Sequence, residues 1–185
     1  MITVTAPEGT LAFATYAARF ESLIMTATLS QTEAASVWYH DAAAVASEVA
    51  RNLGTSLEVG ASIVAAFSPR ERWSTNVAKA IAYSLGSRPA GLGNNLRMAD
   101  ASVAAGFDAL KGQKTNAFAR AIAGDTNAVV IDVWMMRAAG MEIDSPNKTQ
   151  YALLSEAVVA VAQQFGITPR TAQALIWIIV RGGAA

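Results

Sequence analysis

The chain has 185 residues, of which 53% are hydrophobic and only 15% charged, against about a quarter charged in an average globular domain. That balance excludes a disordered chain, and its alanine content favours closely packed helices within one domain. Fourteen basic and fourteen acidic residues cancel, which leaves a local patch as the means of holding DNA rather than overall charge. With no cysteine, disulfides, thiolate metal sites and cysteine-ligated iron–sulfur clusters are excluded. The single histidine, His40, argues against a multi-histidine metal centre. No run approaches the roughly 20 apolar residues that span a bilayer, and MITVTAPEGT lacks the basic and apolar regions of a signal peptide. The expectation is a cytoplasmic protein with no membrane partner and no structural metal.

In chain order, nearly every segment reads as helix. Ser30-Gln-Thr-Glu33 reads as a capping box ahead of a helix running to Leu53 and closed by Gly54. Thr55-Ser-Leu-Glu58 opens the next helix in the same way, and Ser68-Pro69-Arg70-Glu71 adds proline at the first helical position. Gly86 to Asn95 is the one long loop-like stretch, expected to divide helical lobes at roughly 30–86 and 97–181 that interleave in a single 1–185 domain. Leu110 to Lys114 reads as a hairpin, Thr115 to Ala123 as a helix, and Gly124-Asp125 as a turn. Only Ala128 to Ile131 is β-branched enough for a short extended piece. Thr168-Pro169 then caps a last helix from Arg170 to Arg181. The fold class is all-α, with about eight to ten short helices.

One charge stands out. Asp132 lies inside the apolar run Ala-Val-Val-Ile-Asp-Val-Trp-Met-Met, so its carboxylate must be paired, desolvated at a cost, or set at an element boundary. The commonest use of such an aspartate is as the N-cap of the helix that follows. Lys114 stands eighteen positions before it, at a helix start where a cation is unfavourable to the dipole; a solvated turn lysine is the plain alternative.

The segment Leu110 to Ala139 resembles the core of the helix-hairpin-helix DNA glycosylase superfamily, the base-excision enzymes of the endonuclease III and 8-oxoguanine glycosylase type; the arrangement of Trp38-Tyr39, Ser68-Pro69-Arg70, Lys114, Asp132, Thr168-Pro169 and Trp177 also resembles its compact bacteriophage members. That family shows Leu-x-Gly-x-Gly-x-Lys-(Thr/Val), a helix, and an apolar approach to Val-Asp-(Thr/Val)-His, with the lysine and aspartate as its catalytic pair. Here Lys114-Thr115 and Ile131-Asp132-Val133 match, and Arg137 falls where many members have arginine. The hairpin Leu110-Lys111-Gly112-Gln113-Lys114 is two residues shorter than the family's and lacks its second glycine, and Trp134 replaces the histidine. The resemblance implies a two-lobed, all-α glycosylase-like bundle acting on a base of DNA. It implies Asp132 as electrostatic stabiliser or water activator and Lys114 as nucleophile or phosphate ligand. It makes Lys111, Gly112 and Gln113 the hairpin's DNA contacts, where the family often also holds a monovalent cation; no other cofactor is implied.

The chemistry suits these residue types. Breaking an N-glycosidic bond leaves an oxocarbenium-like sugar that a carboxylate stabilises. A lysine amine can add to C1′ and form a Schiff base. The base must leave the stack for a pocket, for which Trp38, Tyr39 and Trp134 are the candidate walls. The stretch Ala66 to Asn76 resembles the family's gap-filling region, so Arg70 and Arg72 are candidate DNA contacts, with a solvated first turn as the alternative. His40 reads as a helix residue, Trp73 and Trp177 as core. Two other readings stay open: a phage enzyme that modifies a flipped base without excising it, and a non-catalytic protein that binds a nucleotide or blocks a host protein. The expected partner is DNA or a nucleotide; the oligomeric state is undetermined.

Overall fold

The computed structural model describes residues 8–143 and 145–183; the first seven residues, on which the signal-peptide expectation mostly rests, lie outside them. Among the described residues there are nine α-helices, one 3-10 turn and no strand, so the all-α class holds. They are α1 (Glu8–Met25), α2 (Leu29–Leu53), α3 (Leu57–Phe67), α4 (Trp73–Ser84), α5 (Gly93–Ala105), the 3-10 turn (Gly106–Ala109), α6 (Gln113–Ile122), α7 (Val133–Ala138), α8 (Lys148–Gln164) and α9 (Pro169–Arg181). No described helix is long and apolar enough to cross a membrane.

The chain forms two compact units. One comprises the chain up to Ser36 and again from Ile131, the other runs from Val37 to Val130. The Gly86–Asn95 stretch, read from the sequence as the divider of two lobes, is therefore internal to the second unit, and its last residues already belong to α5.

In the first unit, α1 packs on α8, α9 and α7, and α9 packs on α7 and α8. Their shared core is Phe20, Ile24, Ile131, Met135, Met136, Leu154, Val158, Ile176 and Ile178. Tyr151, on α8, turns its hydroxyl toward the start of this core and accepts the Ile131 N–H at 3.3 Å.

The second unit is built around α3, buried without interruption from Gly60 to Phe67 and surrounded by α4, α5, α6 and the 3-10 turn. Gly60 lets α3 approach α2 closely: a Cβ there would strike the Ala46 carbonyl of α2 and press on the Ala50 side chain. Glu58 accepts the Phe107 N–H at 3.2 Å, tying the start of α3 to the 3-10 turn.

Several helix starts differ from the sequence reading. The capping box of α2 is Thr28 with Gln31, two residues before the expected one: the Gln31 Oε1 accepts the Thr28 N–H at 2.9 Å and the Thr28 hydroxyl accepts the Gln31 N–H at 3.2 Å. The N-cap of α3 is Ser56 rather than Thr55, because Glu58 is drawn away to the 3-10 turn. No helix starts at Ser68. That serine ends α3 in helical conformation, and Ser68 to Glu71 is a turn closed by the Glu71 N–H on the Ser68 carbonyl at 3.3 Å. Proline at its second position and a φ of 63° at Arg70 give it type II character. The Thr168 cap of α9 stands as read: its hydroxyl accepts the Thr171 N–H at 3.1 Å, with Pro169 in the first turn and Gly182 left-handed at the end.

Candidate functional site

Asp132 belongs to the first unit and stands at the boundary between an extended approach and α7. Its own backbone is extended (φ −120°, ψ −174°), the geometry an N-cap requires. One carboxylate oxygen, Oδ1, accepts the backbone N–H groups of Trp134 at 2.9 Å and Met135 at 3.1 Å. The other, Oδ2, accepts the indole N–H of Trp177 at 3.0 Å. The charge in apolar company is thus neither unpaired nor fully buried. It is half-buried and held by three donors from α7 and α9.

The two tryptophans that meet this carboxylate each carry an arginine on one ring face. Arg137 lies over Trp134 with its guanidinium carbon 4.6 Å from the ring centre, and Arg181 lies over Trp177 at 4.6 Å. Both arginines fall in the last turn of their helices, where the dipole favours a cation. Neither forms an ion pair with a carboxylate among the described residues. Tyr151 completes the surroundings of Asp132. Burial pushes its hydroxyl pKa up, the bond from the Ile131 N–H works the other way, and the Asp132 charge adds to the rise.

Lys114 lies in the second unit. The structure corrects its setting: it is in the first turn of α6, which starts at Gln113, and not in a hairpin loop before a helix at Thr115. The connection is too tight for a loop. The Leu110 N–H bonds the Phe107 carbonyl at 3.0 Å, and the Asn116 side-chain amide donates to the carbonyls of Phe107 at 2.9 Å and Leu110 at 3.2 Å. Gly112 stands at the N-cap position, with no side chain to cap, and the Thr115 hydroxyl bonds its carbonyl at 3.0 Å. Lys111, Gly112 and Gln113 are exposed, while Lys114 is half-buried.

Trp38 and Tyr39, the expected pocket walls, are part of an aromatic cluster in the same second unit. Trp38 meets Tyr39 edge-on at 4.7 Å between ring centres, Trp73 at 5.3 Å and Phe118 at 5.9 Å. Within this cluster Tyr39 and Phe118 are buried, while Trp38 and Trp73 are half-buried. Trp134, the third expected wall, belongs instead to the Asp132 cluster of the first unit. Arg70 and Arg72 are both exposed; Arg70 sits in the left-handed position of the 68–71 turn, and Arg72 precedes α4 without a side-chain capping bond. His40 points to solvent, with its side chain 85% exposed beside Asp41 at 3.5 Å. Among the described residues no three histidine or acidic side chains group as a metal site would require.

Trp177 and Arg181 are the residues of this cluster that the sequence reading passed over as core and helix end. The signal was present: a half-apolar tryptophan needs a partner for its indole N–H, and arginine three or four positions later on a helix reaches back over the ring. Only α9 packing on α7 brings that partner to be Asp132.

No curated protein and no solved structure matches the chain. A family model matches residues 4–184, and the chain belongs to that family, whose description is "Family of unknown function (DUF7178)".

Proposed function

We propose that the chain is a DNA glycosylase-like enzyme acting on a flipped, damaged or modified base. The observation that carries this reading is the Asp132 carboxylate at the start of α7, oriented by two backbone N–H groups and the Trp177 indole. In this role the N-glycosidic bond breaks with its electron pair leaving on the base, and the Asp132 charge stabilises the oxocarbenium-like sugar. Water then adds to C1′ and loses a proton. Where the Lys114 amine adds instead, a Schiff base forms and the enzyme is also a lyase. The two-lobed helix-hairpin-helix fold, the exposed Lys111–Gln113 contacts, a monovalent cation at that turn and a cytoplasmic setting in a bacterial or phage-infected cell belong to the same proposal. They rest on the Lys114–Asp132 spacing and its flanking motifs.

The test is incubation with single- and double-stranded oligonucleotides bearing a panel of damaged and modified bases, with borohydride trapping. Base release that disappears in Asp132→Asn, and a trapped adduct lost in Lys114→Ala, is the expected result. Full activity of both variants on a defined substrate overturns the mechanism.

A second reading is favoured by one specific feature. Both oxygens of Asp132 are already engaged by N–H donors, which suits a purely structural cap in a nucleotide-binding protein. On that reading Asp132→Asn leaves oligonucleotide binding intact and no variant of the chain releases a base. Asp132→Ala lowers stability by about 1 kcal/mol through the lost cap.

A further inference from the structure

Capping accounts for only one oxygen of the Asp132 carboxylate. An N-cap needs an acceptor for the N–H groups of the first turn, and Oδ1 supplies it to the backbone of Trp134 and Met135. Serine or asparagine would serve there as well. The bond from the Trp177 indole to Oδ2 at 3.0 Å comes from another helix and adds nothing to the cap. It asks for a second acceptor, which a carboxylate has and an asparagine lacks. In Asp132→Asn, an amide that keeps its oxygen on the cap turns its NH2 toward the indole N–H, donor against donor. Trp177 is thus the side chain that makes position 132 a place for aspartate rather than for a cap in general.

The indole is held in place for that role. α9, which carries it, packs on α7, and its neighbours Ile176 and Ile178 are buried in the core of the first unit. The Arg181 guanidinium lies on the ring face, 4.6 Å from its centre. Among the described residues no cation forms an ion pair with Asp132, so N–H dipoles hold the charge without neutralising it. A carboxylate has about four acceptor positions; two on Oδ1 and one on Oδ2 are taken. The open position is therefore on Oδ2, and its direction is set by the indole that occupies the other. A fixed carboxylate oxygen that no cation neutralises is what a developing sugar cation requires, because no reorganisation is left to do when the charge appears. We propose that Trp177 is a positioning residue: its indole N–H fixes Asp132 Oδ2 so that the open acceptor position of that oxygen faces the sugar C1′ as the base leaves. This inference rests on the glycosylase reading of Asp132.

The test compares the full chain with Trp177→Phe, which removes the N–H and keeps an aromatic ring under Arg181. Substrates are single- and double-stranded oligonucleotides carrying one uracil, 8-oxoguanine or 5-hydroxymethyluracil. On whichever of these the wild-type chain acts, kcat should fall by about tenfold, the worth of one hydrogen bond to a charged group. KM should stay within about twofold, because the interaction acts on the transition state and not on binding. A second measurement needs no activity: the urea midpoints of Trp177→Phe, Asp132→Asn and the double variant. The phenylalanine substitution should shift the midpoint less in Asp132→Asn than in the wild-type chain, since there it also removes a donor facing a donor. If Trp177→Phe fails to fold, Trp177→Met, apolar and without a donor, takes its place in both measurements. An unchanged kcat, a rise in KM alone, or equal midpoint shifts in the two backgrounds overturns the positioning role and leaves the glycosylase reading standing. A wild-type chain that releases no base from any oligonucleotide overturns that reading, and the role with it.

Discussion

Ser68-Pro69 and Thr168-Pro169 are the same local signal, a hydroxyl residue followed by proline, and they end in different structures. At Thr168 the chain arrives from Gly166, whose φ of 65° closes α8 and lets the backbone turn before the cap. Thr168 is then extended (φ −74°, ψ 150°), its hydroxyl meets the Thr171 N–H, and α9 begins at Pro169. At Ser68 no glycine intervenes. The buried run Ala61 to Phe67 carries helix up to the serine, which stays helical (φ −71°, ψ −27°), and its hydroxyl turns back to the Ala65 carbonyl at 2.8 Å. An N-cap needs extended backbone, so the reversal falls to the next residues and Arg70 takes the left-handed position that glycine usually fills. Glu71, expected as the third residue of a capping box, pairs with Lys79 instead, and the Pro69 carbonyl accepts from the buried Asn95 amide at 3.5 Å. A capping motif works only where the preceding element has already ended.

The largest test of this contrast bears on what fixes α3. If the α2–α3 crossing holds α3 in place through Ser68, Gly60→Ala should cost about 3 kcal/mol by forcing the helices apart, measured by urea unfolding. A loss below about 1 kcal/mol would mean the crossing does not set where α3 ends. Next, Thr168→Ala should lose about 1 kcal/mol as a true N-cap. Arg70→Gly should change stability in the opposite direction, by roughly 0.5 kcal/mol: relief of about 1–2 kcal/mol at a left-handed position, less the entropy of a freer unfolded chain. Ser68→Ala should stay within about 0.5 kcal/mol, since a back-bonded hydroxyl caps nothing. Equal losses at Ser68 and Thr168 would erase the distinction.

The smallest effect at neutral pH concerns the ion pair that ties the segment after α4 to α5. Arg88 bonds both oxygens of Asp100 at 2.7 and 2.9 Å, and the Tyr83 hydroxyl donates to the same carboxylate at 2.9 Å. Burial, then the bond to Asp100 and its charge, push the Tyr83 hydroxyl up to about 12 against the pull of Arg88. A raised folded pKa means that this contribution is complete below the unfolded value near 10 and is lost as pH rises through 12. Absorbance at 295 nm should therefore show Tyr83 and Tyr151 both ionising late, and Tyr83→Phe should remove one of these two late tyrosines. Asp100 moves the other way: Arg88 holds its carboxyl below the usual carboxylate range, so its part is present at neutral pH and fades as the solution is acidified.

The cluster at Asp132 shows how far local reading reaches. Asp132 as the boundary residue before α7 was legible, because a carboxylate inside an apolar run has few other places to be. The start of α6 was not, since Gly112 and Gln113 are weak starting signals and the real determinant is Asn116, which locks the preceding turn from inside the helix. Trp38 and Tyr39 read equally well as pocket walls or core. Trp73 and Phe118, distant in sequence, join them in one aromatic cluster that no local pattern announces.

By itself the sequence determined the helical class, the α9 cap and the aspartate's place at a helix start, all of which depend on residues within a turn of one another. Tertiary structure alone decided that Ser68 ends a helix, that Trp177 meets Asp132, and that Trp38 meets Trp73 and Phe118. Each of these depends on which helix faces which, and side-chain spacing along one helix carries no record of its neighbour.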